Sequence, residues 1–315
     1  MSRPLRIEYP GAYYHITSRG NEKKVIFKYN SNRKKFLEYL KEANERFGAM
    51  IHTYCLMGNH YHLLLQTPSK NLSQIMHFIN CSYSNYFNKL NERSGHLLQG
   101  RYKAILIEAD EYAKELSRYI HLNPVRAGFV AKPESYPWSS YLEYVGKRVP
   151  PKWLVTEFIL RYFGNRLRDA RKAYVSYVLE LAGQDSKSPL EMAISSTILG
   201  SSEFIERIKG TYLAGRREDR NLPALRELAS RPSLQEIKML AESIANVNKS
   251  LSRKMSILAC QKFSGKKLEE IGAFFALSES AVAQVCYRMR KIISKDARLC
   301  QVFDELEKNV FMSDV

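Results

Sequence analysis

Two apolar, β-rich runs, AMIHTYCLM (49–57) and HYHLLLQT (60–67), are separated only by Gly58-Asn59. So short a polar connection leaves room for little except a tight reversal, and the runs predict an antiparallel hairpin. A lone hairpin is marginal in water, so its neighbours must complete a sheet. AYYHITSR (12–19) reads as a strand ended by Gly20 and Asn21, and RYKAILIEA (101–109) as another. Between them, SNRKKFLEYLKEANERFG (31–48) places Phe36, Leu37 and Leu40 at helical spacing, starts at Ser31 or Asn32 and stops at Gly48. NLSQIMHFINCSYSNYFNKLN (71–91) carries apolar residues at 75, 78, 79, 83, 86, 87 and 90, again a helical stripe. DEYAKELSRYIHL (110–122) predicts a helix opened by Asp110 and closed before Pro124.

The order β-α-β-β-α-β plus one helix predicts an α+β fold: a ferredoxin-like antiparallel sheet backed on one face by two helices. After Pro150-Pro151 the texture changes to Leu/Tyr/Arg-rich helical segments (153–183 and 201–214), broken by GQDSKSP (183–189). Three regions are expected: a first domain over 1–150, a helical connector over 151–230, and an all-α terminal domain over 231–315. The last contains KKLEEIGAFFALSESAVAQVCYRMRKII (266–293), a short helix, a turn near Leu277-Ser278, and a second helix capped by Ser278 or Ser280. That is a helix-turn-helix layout.

Charge narrows the partners. The 315 residues carry 49 Lys and Arg against 32 Asp and Glu, a net +17, with 45% hydrophobic residues, so this is a folded basic protein rather than a disordered tail. Residues 1–150 hold 22 of the cations against 12 acids, which points that half toward polyanions, nucleic acid first and an acidic membrane surface second. No window approaches the ~20 apolar residues of a bilayer span, and the first residues lack a signal-peptide core; a cytoplasmic protein is expected. The five cysteines, Cys55, Cys81, Cys260, Cys286 and Cys300, include no CxxC pair, so neither a disulfide framework nor a zinc-cysteine site is indicated, and buried apolar roles are expected.

The chemistry-bearing residues cluster. Residues i and i+2 of a strand share a face, so His60 and His62 present two imidazoles with backbones about 7 Å apart, close enough for one divalent cation. Two half-buried histidines are the bland alternative. His15, His52, His77 and His96 lack this spacing and receive no role. In SRYIHLNPVRAG (117–128), Tyr119 and Asn123 stand one helical turn apart, so a phenol and an amide oxygen can converge. The alternative is a core aromatic and a C-terminal cap. Tyr83, Tyr86, Tyr102 and Tyr112 compete as nucleophiles, Tyr83 and Tyr86 falling on an apolar stripe; Arg19, Arg101, Lys103 and Arg126 are candidate phosphate contacts, and Tyr102 a candidate base-stacking residue.

YHITSRGN (14–21), YCLMGNHYHLLLQTP (54–68), QGRYKAI (99–105), YIHLNPVRAG (119–128) and YPWSSY (136–141) together resemble the single-tyrosine HUH transposases, of the REP-associated tyrosine type, over about residues 8–145. The resemblance implies that His60 and His62 hold Mg²⁺ or Mn²⁺ with Asn123 as third ligand. It also implies that Tyr119 attacks a phosphodiester of single-stranded DNA, leaving a 5′-phosphotyrosine and a free 3′-hydroxyl. Tyr61 stands where the family pattern has a bulky hydrophobic residue. Residues 252–292 resemble the DNA-binding C-terminal domain of the bacterial replication initiator, which implies that Ser280, Gln284, Arg288 and Ser278 face duplex DNA. The implied partners are single-stranded and hairpin DNA, with duplex DNA through the terminal domain and no membrane; monomer and dimer both stay open. A non-catalytic nucleic-acid-binding regulator is the competing class, because a ferredoxin-like sheet is also an RNA-recognition scaffold. A hydrolytic metalloenzyme is disfavoured, because no Asp or Glu lies within the His-x-His motif to act as a base. All four catalytic candidates precede residue 130, so a chain ending near residue 150 is expected to keep the activity.

Overall fold

Strand β1 (Tyr13–Arg19) runs through the middle of a five-stranded sheet, with β2 (Met50–Leu56), β3 (His60–Gln66), β4 (Lys103–Ile107) and the short β5 (Ile198–Leu199) in the order β2-β3-β1-β4-β5. The computed structural model describes residues 6–184, 188–213, 233–244 and 249–312. The first four strands pair antiparallel in the ferredoxin-like order. β5 pairs parallel with β4 through Leu106/Ile198 and Ile107/Leu199, so the sheet is mixed rather than purely antiparallel. A two-residue strand carries no alternation to reveal it in advance.

Helix α1 (Asn30–Phe47) ends at Gly48, whose φ of 68° is the left-handed conformation of a helix stop. It packs beside α2 (Leu72–Leu90), and together they cover one sheet face: Phe36 of α1 meets Tyr61 of β3 at a ring separation of 4.7 Å and Tyr83 of α2 at 5.1 Å. Tyr61 is fully buried there and donates its hydroxyl to Asn80 at 2.6 Å, so its ring fills the face opposite to the one that His60 and His62 share.

The other face carries α3 (Ala109–Arg126). Contrary to the expected stop before Pro124, this helix continues through it. A proline lacks the N–H that would continue the ladder, but here it sits near the end, where Ala127 N–H bonds Asn123 O at 2.9 Å and Phe129 N–H bonds Pro124 O at 2.9 Å. Asn123 is therefore held in helical geometry one turn beyond Tyr119.

The chain divides into two units, Met1–Glu206 and Arg207–Val315. The connector expected over 151–230 is thus split. Its first part joins the sheet domain: Ile159, Leu160, Ala170, Tyr174 and Val178 are buried in one cluster with Leu64, Ala113 and Ile120. Helix α4 (Leu167–Leu179) supplies Tyr174, and segment 136–148 ties the cluster to β2, with Tyr136 O–H donating to Leu56 O at 2.7 Å and Tyr144 O–H to His52 O at 2.8 Å.

The second unit has its own apolar core, built from α5 (Leu234–Ile244), α6 (Lys249–Phe263), α7 (Leu268–Phe275), α8 (Glu279–Ile293) and α9 (Ala297–Met312). Helices α7 and α8 are joined by three residues, with Ala276 left-handed at φ 54° and Ser278 capping α8 by accepting from Ala281 N–H at 3.2 Å. Gly272 allows the turn to close, since a Cβ there would lie 2.6 Å from the Leu277 carbonyl oxygen. Cys55, Cys260 and Cys286 are buried as expected, whereas Cys81 and Cys300 are exposed. Among the described residues no helix is long and apolar enough to cross a membrane.

Candidate active site

Alternation along β1 and β3 decides what the α3-covered face displays. Residues directly opposite in an antiparallel pair share a face. The register sets Arg19 opposite His60, Thr17 opposite His62 and His15 opposite Leu64, so three histidines and one arginine line the same side. Lys103 of β4, opposite Thr17, joins them. His60 and His62 stand with ring centroids 5.0 Å apart, and Tyr119 of α3 reaches down edge-on to His62 at 5.9 Å and to His15 at 6.2 Å. Strand pairing and helix packing thus bring Tyr119 to His62, 57 positions away in the chain, and to His15, 104 positions away.

Burial keeps these imidazoles neutral. His62 is held well below the ordinary histidine range by burial first, then by His15 and His60; His15 falls to about 3 through burial; His60 falls to about 4 through burial and the Arg19 charge. Neutral imidazole is the metal-binding form. Both Nδ1 atoms are engaged, His60 Nδ1 with Asn59 Oδ1 at 2.6 Å and His62 Nδ1 with His15 Nε2 at 3.0 Å, so a shared ion would take their Nε2 atoms. Asn123 donates from Nδ2 to the Tyr119 carbonyl at 2.8 Å, which leaves its amide oxygen outside that bond. Among the described residues no group of three or more His, Cys, Asp or Glu side chains is placed to hold a metal ion. A donor set of two neutral imidazoles and an amide oxygen fits a Mg²⁺- or Mn²⁺-sized cation whose remaining positions are open to water or phosphate oxygens.

The competing tyrosines are placed elsewhere. Tyr83 is buried and donates to Ile26 O; Tyr86 lies beside it on α2; Tyr112 packs with Ile107, Leu116 and Leu199. Tyr102 is buried under the Arg6 guanidinium, 3.9 Å from the ring centroid, so its ring is not open for a base to stack on. Of the candidate cations, Arg126 lies 5.1 Å over the Tyr119 ring and Arg19 beside His60, both exposed, while Arg101 is exposed near Arg6. A cleft of about 340 Å³, lined by Glu115, Arg118, Tyr119, Arg126 and residues of the 188–192 segment, opens on the Tyr119 side of α3. In the second unit Ser278, Ser280, Gln284 and Arg288 are all exposed, the last three on one face of α8 at four-residue spacing.

His15 joins this face from outside the His-x-His motif. Its only signal was tertiary, the β1/β3 register, because nothing local distinguishes it from His52, which is buried against Tyr13 and Phe158 with Nε2 3.2 Å from Gln66 Oε1.

With this geometry in view, residues 8–123 match the sequence model of a family described as "Transposase IS200 like". Among solved structures, the chain is similar to a REP-associated tyrosine transposase bound to a REP hairpin, at 17% identity and a TM-score of 0.41, covering 49% of this chain and 92% of that one. It is also similar to tRNA(His) guanylyltransferase from Saccharomyces cerevisiae, at 10% identity and a TM-score of 0.30, covering 59% and 84% respectively. No curated protein matches.

Proposed function

We propose that this protein, whose residues 8–123 match the IS200-like transposase model, cuts and rejoins single-stranded DNA through Tyr119, in the manner of the REP-associated tyrosine transposases. The observation that carries the reading is the meeting of Tyr119, on α3, with His62, which stands beside His60 on β3, over one face of the sheet.

Tyr119 Oη attacks phosphorus in line with the departing O3′. The phenol gives up its proton, the P–O3′ bond breaks, the 3′-oxygen takes a proton, and a 5′-phosphotyrosine remains. The reverse attack by a 3′-hydroxyl, on the same or another strand, restores a phosphodiester without an external energy source. Arg126, 5.1 Å over the Tyr119 ring, places a positive charge beside the attacking group, where it suits the anionic phosphodiester. His60, His62 and Asn123 would hold Mg²⁺ or Mn²⁺, whose chemistry is to neutralise a non-bridging phosphate oxygen. Arg19 and Lys103, on the same face, suit the flanking phosphates, with Arg101 further along the strand end.

We assign duplex contact to the exposed α8 face with Ser280, Gln284 and Arg288, so that hairpin DNA with a paired stem is the substrate class, handled in the cytoplasm. The test is covalent trapping. Single-stranded hairpin oligonucleotides incubated with the protein and Mn²⁺ should yield a denaturation-resistant adduct whose modified peptide contains Tyr119. Failure to form any adduct, or modification at another residue, overturns the reading.

A further inference from the structure

We propose that Asn59 and His15 are positioning residues that set the tautomers of His60 and His62, so that both Nε2 atoms are bare and available to one cation. This rests on the metal reading above and adds residues to it that neither the motif nor the spacing assigned.

A backbone carbonyl only accepts, and Asn59 Nδ2 lies 3.0 Å from Lys23 O, so this end of the amide must be the NH₂ group. The Asn59 Oδ1 is thereby turned toward His60 Nδ1, 2.6 Å away. An amide oxygen only accepts, so His60 Nδ1 must donate. A neutral imidazole carries one N–H, which leaves Nε2 as a lone pair.

The Lys23 carbonyl is itself held in place. It belongs to a turn in which Glu22 and Lys23 have φ of 55° and 60°, a left-handed conformation that non-glycine residues rarely adopt. Gly20 N–H bonds Asn59 O at 2.8 Å, and Ile26 and Phe27 N–H groups both bond Gly58 O at 3.0 Å, clamping segment 20–27 against the hairpin turn. Gly20 is required for this, because a Cβ there would lie within 2.9 Å of the Ile26 side chain and closer still to the Lys24 carbonyl. A strained turn that aims one carbonyl at one amide is the kind of outlier from which a positioning role is inferred.

His62 is pinned from the neighbouring strand. Its Nδ1 stands 3.0 Å from His15 Nε2, with 2% of His15 and 6% of His62 exposed. One of two facing ring nitrogens must carry the proton. If His62 donates, His15 takes the Nδ1–H form and His62 Nε2 is bare; if His15 donates, His62 Nε2–H blocks a cation. The first arrangement matches that of His60, and both histidines then present the same nitrogen. Fixing the tautomer through the second ring nitrogen is the common way proteins orient imidazole ligands, and its loss costs roughly 10–100-fold in metal affinity.

Two measurements test this on the full chain. Long-range ¹H–¹⁵N spectra of the metal-free protein at pH 7.5 should show His60 and His62 both as Nδ1–H tautomers; a Nε2–H tautomer at either position overturns the proposal without any substitution. Mn²⁺ binding is then followed by electron paramagnetic resonance in wild type, His15→Phe, His15→Gln and Asn59→Leu, with melting temperature measured alongside. Expected is roughly 10-fold or greater weakening for His15→Phe and Asn59→Leu, with partial recovery in His15→Gln, whose amide oxygen can accept. Wild-type affinity in both His15→Phe and Asn59→Leu overturns the positioning role alone. Absence of Mn²⁺ binding by the wild-type chain overturns the metal reading and the positioning role together.

Discussion

Tyr174 Oη lies 2.7 Å from His121 Nδ1, joining α4 to α3 across 53 residues of chain, and both side chains are fully buried. His121 Nε2 lies 2.8 Å from Ser140 Oγ, and Tyr174 also donates to Ser117 Oγ at 3.1 Å. The helix that carries Tyr119 is therefore anchored by residues beyond position 150.

This changes where the chain can be cut. A version ending near residue 150 keeps His60, His62, Tyr119 and Asn123 but loses Ile159, Leu160, Tyr174 and Val178 from the core around α3, and the β5 edge as well. Each large buried side chain contributes about 1.5–3 kcal/mol, so that version should lack a cooperative thermal transition and form no adduct. A version ending at residue 213 should melt cooperatively and form it. Equal activity of the two would show that the packing beyond 150 is dispensable.

Tyr119→Phe removes one oxygen and no charge. Covalent adduct should disappear, at least 10³-fold in rate if the phenol is the nucleophile, while affinity for single-stranded hairpin DNA stays within about twofold. Adduct formation by the variant would send the search to another tyrosine.

Low pH should destabilise the sheet domain. His15 and His121 are held near 3 by burial, and His62 well below its usual range by burial, His15 and His60. The folded state therefore binds fewer protons than the unfolded chain below about pH 6.5. The stability from keeping these rings neutral is complete above that pH and is lost as pH falls, at about 1.4 kcal/mol per pH unit for each fully buried ring. In metal-free buffer the melting temperature should drop from pH 7.5 to pH 5, and His121→Gln should show a shallower drop from a lower starting point. A pH-independent transition would contradict the buried neutral state.

Gly272→Ala tests the turn between α7 and α8. Its Cβ would meet the Leu277 carbonyl at 2.6 Å, so backbone must move. A loss of about 1–3 kcal/mol is expected in urea unfolding of the second unit, with adduct formation on single strands unchanged.

Arg288→Ala should weaken duplex binding and lower the salt slope by about one counterion, while binding to unpaired oligonucleotides stays constant. Equal salt slopes for the variant and wild type would remove Arg288 from the duplex contact.

Several features were determined by the sequence itself because their causes are local. Alternation placed His60 and His62 on one side of β3, the Gly58-Asn59 connection required a hairpin, and four-residue spacing set Asn123 above Tyr119 on α3. The α7-turn-α8 arrangement was legible from its cap and its apolar period for the same reason. The tertiary structure alone decided which distant groups meet. The pairing of His15 with His62 depends on the register of β1 against β3, which any one-residue slip would reverse. The membership of 151–206 in the sheet domain depends on Tyr174 finding His121 and on Ile198-Leu199 finding β4, contacts between side chains and edges that leave no periodic trace in the chain. The persistence of α3 through Pro124 was decided in the same way, because burial of Pro124 and the bonds after it offset a local preference to stop.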